Sequence, residues 1–324
     1  MSRPLLEVNG LSKHFPVGPG GLFGKSHKQL QAVDGVSFSL MPGELLSLVG
    51  ESGCGKSTTG RLILRLLQPT AGSVQFDGED VLTADRHRLK ALRREMQVIF
   101  QDPYASLNPR MRIGTILEEP LVVHGVSDKE ERRRRVLELT AQVGLTESAL
   151  SRFPHEFSGG QRQRISIARA LMLSPRLIVA DEPVSSLDVS IQAQVINLVQ
   201  DLREAYGLAI LFIAHDLNMV RHISDRVAVM YLGRIVELAD TASLYSSPRH
   251  PYTRALLDAV CVPDPTVKRD RQLLTGDLPS PVDLPPGCRF QTRCPEVIDR
   301  CRSVDPQLIQ VGAGHQVACL LHEG

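Results

Sequence analysis

The residues with the clearest chemical potential sit in "GESGCGKST", where Gly50, Gly55, Lys56 and Ser57 satisfy the spacing G-x-x-x-x-G-K-[ST]. The stretch follows the apolar run "LLSLV" and opens a segment with helical spacing at Leu62, Ile63, Leu66 and Leu67. That is the strand-loop-helix context the motif requires. Gly50, Gly53 and Gly55, with the small residues Ser52 and Cys54 between them, let the backbone wrap closely, so that N–H groups and the helix N-terminus point at phosphate oxygens. Lys56 adds a cation for the outer phosphates of a nucleotide, the Ser57 hydroxyl suits Mg²⁺, and Thr58 completes the stretch. Cys54 is read as packing inside this cradle rather than as a reactive thiol.

A second set of groups closes "RLIVADEP", an apolar strand ending in Asp181 and Glu182. Neighbours on a strand point to opposite sides, so the two carboxylates should have different tasks. Asp181 would hold Mg²⁺ through water, and Glu182 would polarise an attacking water as general base. Between the two sites, "FSGGQRQR" makes a Gly-rich turn into the helix "QRISIARALML", a second helix N-terminus able to bind phosphate. One nucleotide in one fold does not need two such ends. His215, placed at a strand end after "ILFIA", joins the candidate groups.

The elements that must position these residues alternate along the chain. Residues 5–49 carry short β-like runs, "LLEVNG", "AVDGVSFSL" and "ELLSLVG", with a Gly-rich loop from Gly18 to Lys28. Residues 110–150 are mostly helical by pattern, and the basic run Arg132–Arg135 reads as a solvated face because acidic residues flank it. Residues 176–238 return to buried strands around the helix "SIQAQVINLVQDLREAYG", which implies a parallel sheet with crossover helices, an α/β fold. After Asp240 the chain turns Pro-rich, suited to an extended linker or wrapping arm. The 324 residues suffice for one large domain and an appendage.

The 37 Lys and Arg nearly cancel the 36 Asp and Glu, which argues against a broad electrostatic footprint for nucleic acid or anionic lipid. The first residues lack a basic-then-apolar secretory pattern, and the longest apolar runs are far short of the ~20 residues that span a bilayer. A cytosolic location is expected, with any membrane attachment supplied by a partner, and structural disulfides are not expected there.

Four of the six cysteines lie in the tail, at Cys288, Cys294, Cys301 and Cys319, separated by five, six and seventeen residues. Structural zinc sites usually contain a C-x2-4-C knuckle, and this spacing has none. An iron-sulfur cluster, a zinc ion and unligated thiols are all open readings of the residues alone.

The ordered series "GESGCGKS", "IFQDP", "SGGQ", "VADEP", "SSLD" and "AHD" resembles the ATP-binding subunits of ABC transporters. The resemblance implies an α/β P-loop NTPase fold with an antiparallel β subdomain, a helical subdomain at about 106–165 and a small C-terminal Cys-rich tail domain. It implies further that Phe15 stacks on adenine, where Tyr or Trp is more usual, and that Gln101 senses Mg²⁺ and the transmembrane partner. Ser158, Gly159, Gly160 and Gln161 would clamp the partner subunit's ATP. Asp188 would cross the dimer interface and His215 would contact the γ-phosphate. Phe157 stands where Leu is usual and Ser186 where Ala is usual, departures that touch packing.

The stretches "FQDPYASLNPRMRIG", "FPHEFSGGQRQR", "DEPVSSLDVSIQAQ", "SPRHPYTRALL" and "LPSPVDLPPGCRF" are similar to the ATPase subunits of bacterial dipeptide and oligopeptide importers, and the "KHFPV" start to the F-type subunit of the pair. Domains at 1–240, 241–287 (a Pro-rich linker with the HPY motif) and 288–324 (the four-cysteine motif) follow from that similarity. So do ATP and Mg²⁺, a [4Fe-4S] cluster on Cys288, Cys294, Cys301 and Cys319, and placement at the cytoplasmic face of the inner membrane. The implied partners are a second ATPase subunit, two transmembrane permease subunits and an extracytoplasmic peptide-binding protein. A nickel-importer ATPase is the alternative within the family. A soluble ABC ATPase acting on ribosomes or DNA is disfavoured, because neither a second cassette nor a long coiled-coil insertion is present.

Overall fold

A computed structural model describes residues 3–17, 28–259 and 279–323. Much of the Gly18–Lys28 loop, and Cys261 with the adjoining part of the Pro-rich stretch, lie outside the described residues. The strands in chain order are β1 (Leu6–Val17), β2 (Lys28–Leu40), β3 (Leu45–Val49), β4 (Ala71–Phe76), β5 (Glu79–Asp80), β6 (Met96–Ile99), β7 (Leu177–Asp181), β8 (Ala209–Ala214), β9 (Arg226–Tyr231), β10 (Arg234–Asp240), β11 (Ile309–Gly312) and β12 (His315–Val317). The helices are α1 (Lys56–Ile63), α2 (Arg86–Glu95), α3 (Pro103–Ser106), α4 (Ile113–Val123), α5 (Lys129–Gln142), α6 (Gly159–Leu171), α7 (Val189–Tyr206), α8 (Leu217–Ile223), α9 (Thr241–Ser246) and α10 (Pro251–Asp258).

The chain divides into two compact units, one of Met1–Leu5, Leu40–Glu44 and Thr83–Ile213, the other of Leu6–Ser39, Leu45–Leu82 and Ala214–Gly324. In the first, β6, β7 and β8 run parallel in continuous register, Met96 facing Leu177 and Leu177 facing Ala209, so that β7 ends at Asp181 opposite Ile213. Every residue of β7 and β8 is buried, as the unbroken apolar runs of a parallel sheet require. Helices α4, α5 and α6 pack together, and Ile116, Leu117, Leu121, Val136, Leu139 and Ile165 on them are buried. The basic run on α5 is a solvated face only in part: Arg133 and Arg134 are exposed, whereas Arg132, 12% exposed, pairs with Glu118 at 2.7 Å and the half-buried Arg135 pairs with Glu131 at 2.6 Å.

The second unit holds a sheet in the order β2-β1-β4-β5, in which β1 and β4 pair antiparallel from Leu6 opposite Phe76 to Asn9 opposite Ser73. It also holds β3 parallel to β9, with Leu46 facing Arg226 and Val49 facing Val229, and β10 antiparallel to β9. Helix α1 stops at Ile63, a turn short of the pattern through Leu67, because Arg65 takes a left-handed conformation (φ 49°) and turns Leu66 outward.

Two expectations change here. The start of the Pro-rich stretch is not extended: α9 and α10 form within it, α10 being capped by the His250 ring, which accepts the Tyr252 N–H at 3.0 Å, with Pro251 in its first turn. The tail is not a separate domain in this structure, because its strands β11 and β12 extend the second unit's sheet, β12 pairing antiparallel with β10. The physical reason is its poverty in apolar residues. Phe290, 1% exposed, is buried against Tyr231, Tyr252 and His250 of the preceding chain rather than in a core of the tail's own.

Candidate functional site

The phosphate loop runs from the buried strand β3 into α1. Its glycines are steric requirements. A Cβ on Gly55 (φ +108°) would lie 2.1 Å from the Ala32 carbonyl oxygen, and one on Gly50 (φ +152°) would lie 2.1 Å from that of Met230. Strands β2 and β9 thus wall a cradle that only bare backbone can follow. Lys56 is 4% exposed, and its ammonium donates to the carbonyls of Gly50 at 2.8 Å and Glu51 at 3.1 Å. Ser52 and Gly53 are exposed, and Ser57 and Thr58 half-buried. Burial pushes the Cys54 thiol up, so it is protonated at neutral pH and packs as expected. Phe15, half-buried near the end of β1, carries the Lys13 ammonium 5.0 Å from its ring centre. His215 is exposed just past β8, next to Asp216, whose carboxylate caps α8 by accepting the Asn218 N–H at 2.8 Å.

The other unit carries the remaining candidates. Asp181 is buried at the end of β7. Glu182 follows in a left-handed conformation (φ 45°), unusual for a residue with a side chain, and its N–H donates to Ile213 at 3.0 Å. That sharp turn sends the chain off the strand and presents the carboxylate to Gln101, whose amide donates to it at 3.1 Å. Gln101 and Glu182 are therefore brought together, although 81 residues separate them.

At the start of α6, Ser158 and Gln161 form a reciprocal cap: the Gln161 N–H donates to the Ser158 hydroxyl at 3.3 Å, and the Ser158 N–H to the Gln161 side chain at 3.1 Å. A Cβ on Gly160 would stand 2.4 Å from Ile191 Cγ2. Asp188, exposed, precedes α7.

The four tail thiols interact but do not form a finished site. Cys301 and Cys319 are buried and Cys288 and Cys294 half-buried, and the Cys288 N–H donates to the Cys301 carbonyl at 2.9 Å. Burial, reinforced by the charges of the other thiols, pushes Cys288 up to about 12 and Cys294 up to about 11. None of the described cysteines is disulfide-bonded. Among the described residues no group of three or more His, Cys, Asp or Glu is set to hold a metal ion, so the expected cluster is not visible as an assembled ligand set.

Three functional candidates had escaped the sequence reading: Glu51, Tyr252 and Arg293. The Glu51 carboxylate accepts two hydrogen bonds from Arg293, at 2.9 and 3.0 Å, and the Glu51 N–H donates to the Tyr252 hydroxyl at 3.0 Å. An acidic residue inside a loop built for phosphate was the one available signal.

A family model described as ABC transporter matches residues 33–185, and one described as oligopeptide/dipeptide transporter, C-terminal region, matches residues 236–301. Oligopeptide transport ATP-binding protein AppF of Bacillus subtilis is 53% identical, over 98% of this chain and 97% of that protein. The chain belongs to the oligopeptide/dipeptide branch of the ABC transporter ATP-binding proteins. Dipeptide transport ATP-binding protein DppF of Haemophilus influenzae is 51% identical, again over 98% of this chain and 97% of that one. Among solved structures, the dimeric structure of a bacterial ABC transporter cassette matches with TM-score 0.65 and 30% identity, over 73% of this chain and 98% of the cassette. The same cassette bound to ADP and Pi, described as a post-hydrolysis state, matches with TM-score 0.64. The ABC ATPase fold is therefore established for this chain, with the C-terminal region of the oligopeptide branch added to it. Among the described residues of this ABC protein no helix is long and apolar enough to cross a membrane.

Proposed function

We propose that this chain is the ATP-hydrolysing subunit of a peptide importer, peripheral to the cytoplasmic face of the membrane, working as a dimer with a second ATPase subunit. Permease subunits and an extracytoplasmic peptide-binding protein would complete the transporter. The observation that carries the ATPase reading is the glycine-walled cradle holding the Lys56 ammonium on its own carbonyls, where phosphate oxygens can exchange for them. The peptide reading rests on the relatives' names and on the C-terminal region they share with this chain.

Roles follow the residues. Gly50, Ser52, Gly53, Cys54, Gly55, Lys56, Ser57 and Thr58 wrap the phosphates, Phe15 stacks on the base, and His215 contacts the γ-phosphate. Ser57, Gln101 and Asp181 suit Mg²⁺, which when bound offsets charge developing on the phosphates. Glu182 takes the proton of the attacking water, and the Gln101 amide at 3.1 Å orients its carboxylate. Ser158, Gly159, Gly160 and Gln161 close on the ATP of the partner subunit, and Asp188 lies at the dimer interface. Binding then holds the dimer shut and hydrolysis releases it.

The tail thiols are proposed as the ligands of a [4Fe-4S] cluster. Their burial and mutual electrostatic influence suit a cation that would remove their protons. Iron and acid-labile sulfide in anaerobically purified protein test this; zinc without sulfide, or neither metal, refutes it. Peptide uptake by a deletion strain complemented with this chain tests the substrate, and restored nickel uptake without peptide uptake overturns the peptide reading.

A further inference from the structure

A carboxylate inside a phosphate cradle is an electrostatic contradiction. The loop exists to receive several negative charges, yet its second residue is Glu51. The structure shows how that charge is handled. Arg293 forms a two-pronged ion pair with Glu51 at 2.9 and 3.0 Å, with Arg293 only 9% exposed and Glu51 26%. Sheltered, two-pronged pairs of this kind are the strong ones. The rest of Glu51 is held as well. Its N–H donates to the Tyr252 hydroxyl, and its carbonyl accepts the Lys56 ammonium at 3.1 Å. Whatever fixes Glu51 therefore also fixes where Lys56 rests.

Arg293 is itself firmly placed. It lies in the tail between Cys288 and Cys294, in a turn where the Gln291 N–H donates to Cys288 and the Arg293 N–H to Phe290. Phe290 anchors that turn among the rings of Tyr231, Tyr252 and His250, at centroid distances of 5.3, 5.4 and 5.6 Å. Arg289 of the same segment donates to the Leu232 carbonyl, and the neighbouring Gly233 N–H donates to the loop's Cys54 carbonyl at 2.9 Å. The tail thus reaches the phosphate loop by two routes.

We infer that Arg293 is a positioning residue for nucleotide binding: it neutralises Glu51 and holds the loop so that the C-terminal tail sets the affinity of the phosphate cradle for ATP. The inference rests on the reading of residues 50–58 as an ATP site and adds the tail to it. Removing the guanidinium leaves an uncompensated carboxylate beside incoming phosphates and frees the residue on which Lys56 rests. Ground-state binding suffers, while the groups assigned to bond cleavage are untouched. The effect belongs in Kd and KM rather than in kcat.

The test uses the full-length chain, with ATP affinity from titration of a fluorescent ATP analogue, and KM and kcat from the transporter assembled with its membrane partners. Arg293→Gln should raise Kd and KM about tenfold and leave kcat at saturating ATP within about twofold. Arg293→Lys, which keeps the charge and loses the fork, should fall between. Glu51→Gln combined with Arg293→Gln removes both charges and should return Kd to within about threefold of the parent, which simple damage to the tail would not do.

Lys56→Ala separates the two layers of reasoning. If it binds ATP as the parent does, the ATP-site reading of the loop fails. If it loses binding while Arg293→Gln keeps the parent Kd, only the role of Arg293 is overturned. Should Arg293→Gln not fold, the double variant decides. Folded and ATP-binding, it supports the counter-charge role; unfolded or unable to bind, it shows Arg293 to be a packing residue of the tail and refutes the inference.

Discussion

Gly160 offers the sharpest separation between packing and function. It is buried in the first turn of α6, and a Cβ there would stand 2.4 Å from Ile191 Cγ2, inside the 3.0 Å that real Cβ atoms keep. The backbone is helical, so Gly160→Ala gains about 1 kcal/mol of helix propensity. Against this stands an overpacking cost of about 1–3 kcal/mol. The variant should therefore be destabilised by at most ~2 kcal/mol. The obstruction is the end of one half-buried side chain, so Ile191→Ala should relieve it. That truncation alone should cost about 1 kcal/mol, below the range for fully buried isoleucines, and the double variant should return near the parent's urea midpoint.

ATPase activity should behave differently. If Gly160 is bare because the partner's ATP approaches its backbone, the added methyl displaces that ATP whatever becomes of Ile191. Activity of the assembled transporter should then stay about a hundredfold down in both the single and the double variant. A double variant that regains both stability and ATPase activity would refute the reasoning, and would show that Gly160 is kept only to make room for Ile191.

Other outcomes can be checked directly. Glu182→Gln should cut turnover by about 10²–10⁴ while ATP still binds, because the amide keeps the shape facing Gln101 and loses only the base; unchanged single-turnover hydrolysis would remove Glu182 from that role. His250, fully buried, is pushed down to about 3, first by burial and then by the charges of Arg254 and His322. It is neutral in the fold and titrates near 6.5 in the unfolded chain. Its stabilising contribution is therefore complete above pH 6.5 and is lost as pH falls toward 3, at up to about 1.4 kcal/mol per pH unit. His250→Asn retains an acceptor for the Tyr252 N–H and removes the titration, so its urea midpoint should fall less steeply between pH 6.5 and 4. Equal slopes would mean the native ring is protonated.

What could be read from the chain was local chemistry. The phosphate loop is legible because its geometry is set within nine residues, where three glycines and a lysine leave few backbone paths. Strands β7 and β8 announce themselves because burial on both faces leaves only apolar residues. The turn into α6 is legible in "FSGGQRQR", where glycines lead into a helical run, while the reciprocal cap between Ser158 and Gln161 came from the structure. Even the solvated part of the basic run on α5 follows from acidic residues one turn away.

Tertiary structure decided what depends on contacts distant in sequence. Glu51 and Arg293 are 242 residues apart, and no periodicity links them. The tail's membership of the second sheet depends on the free edge of β10, and the burial of Phe290 depends on three rings supplied elsewhere. The conformation of Glu182, left-handed at a strand end, is not a preference of glutamate. It is imposed by the turn off β7 and by the bond from its N–H to Ile213. Motifs specify which atoms face a phosphate through short-range backbone geometry. The neighbours that balance the charge of those atoms come from parts of the chain that only folding brings near.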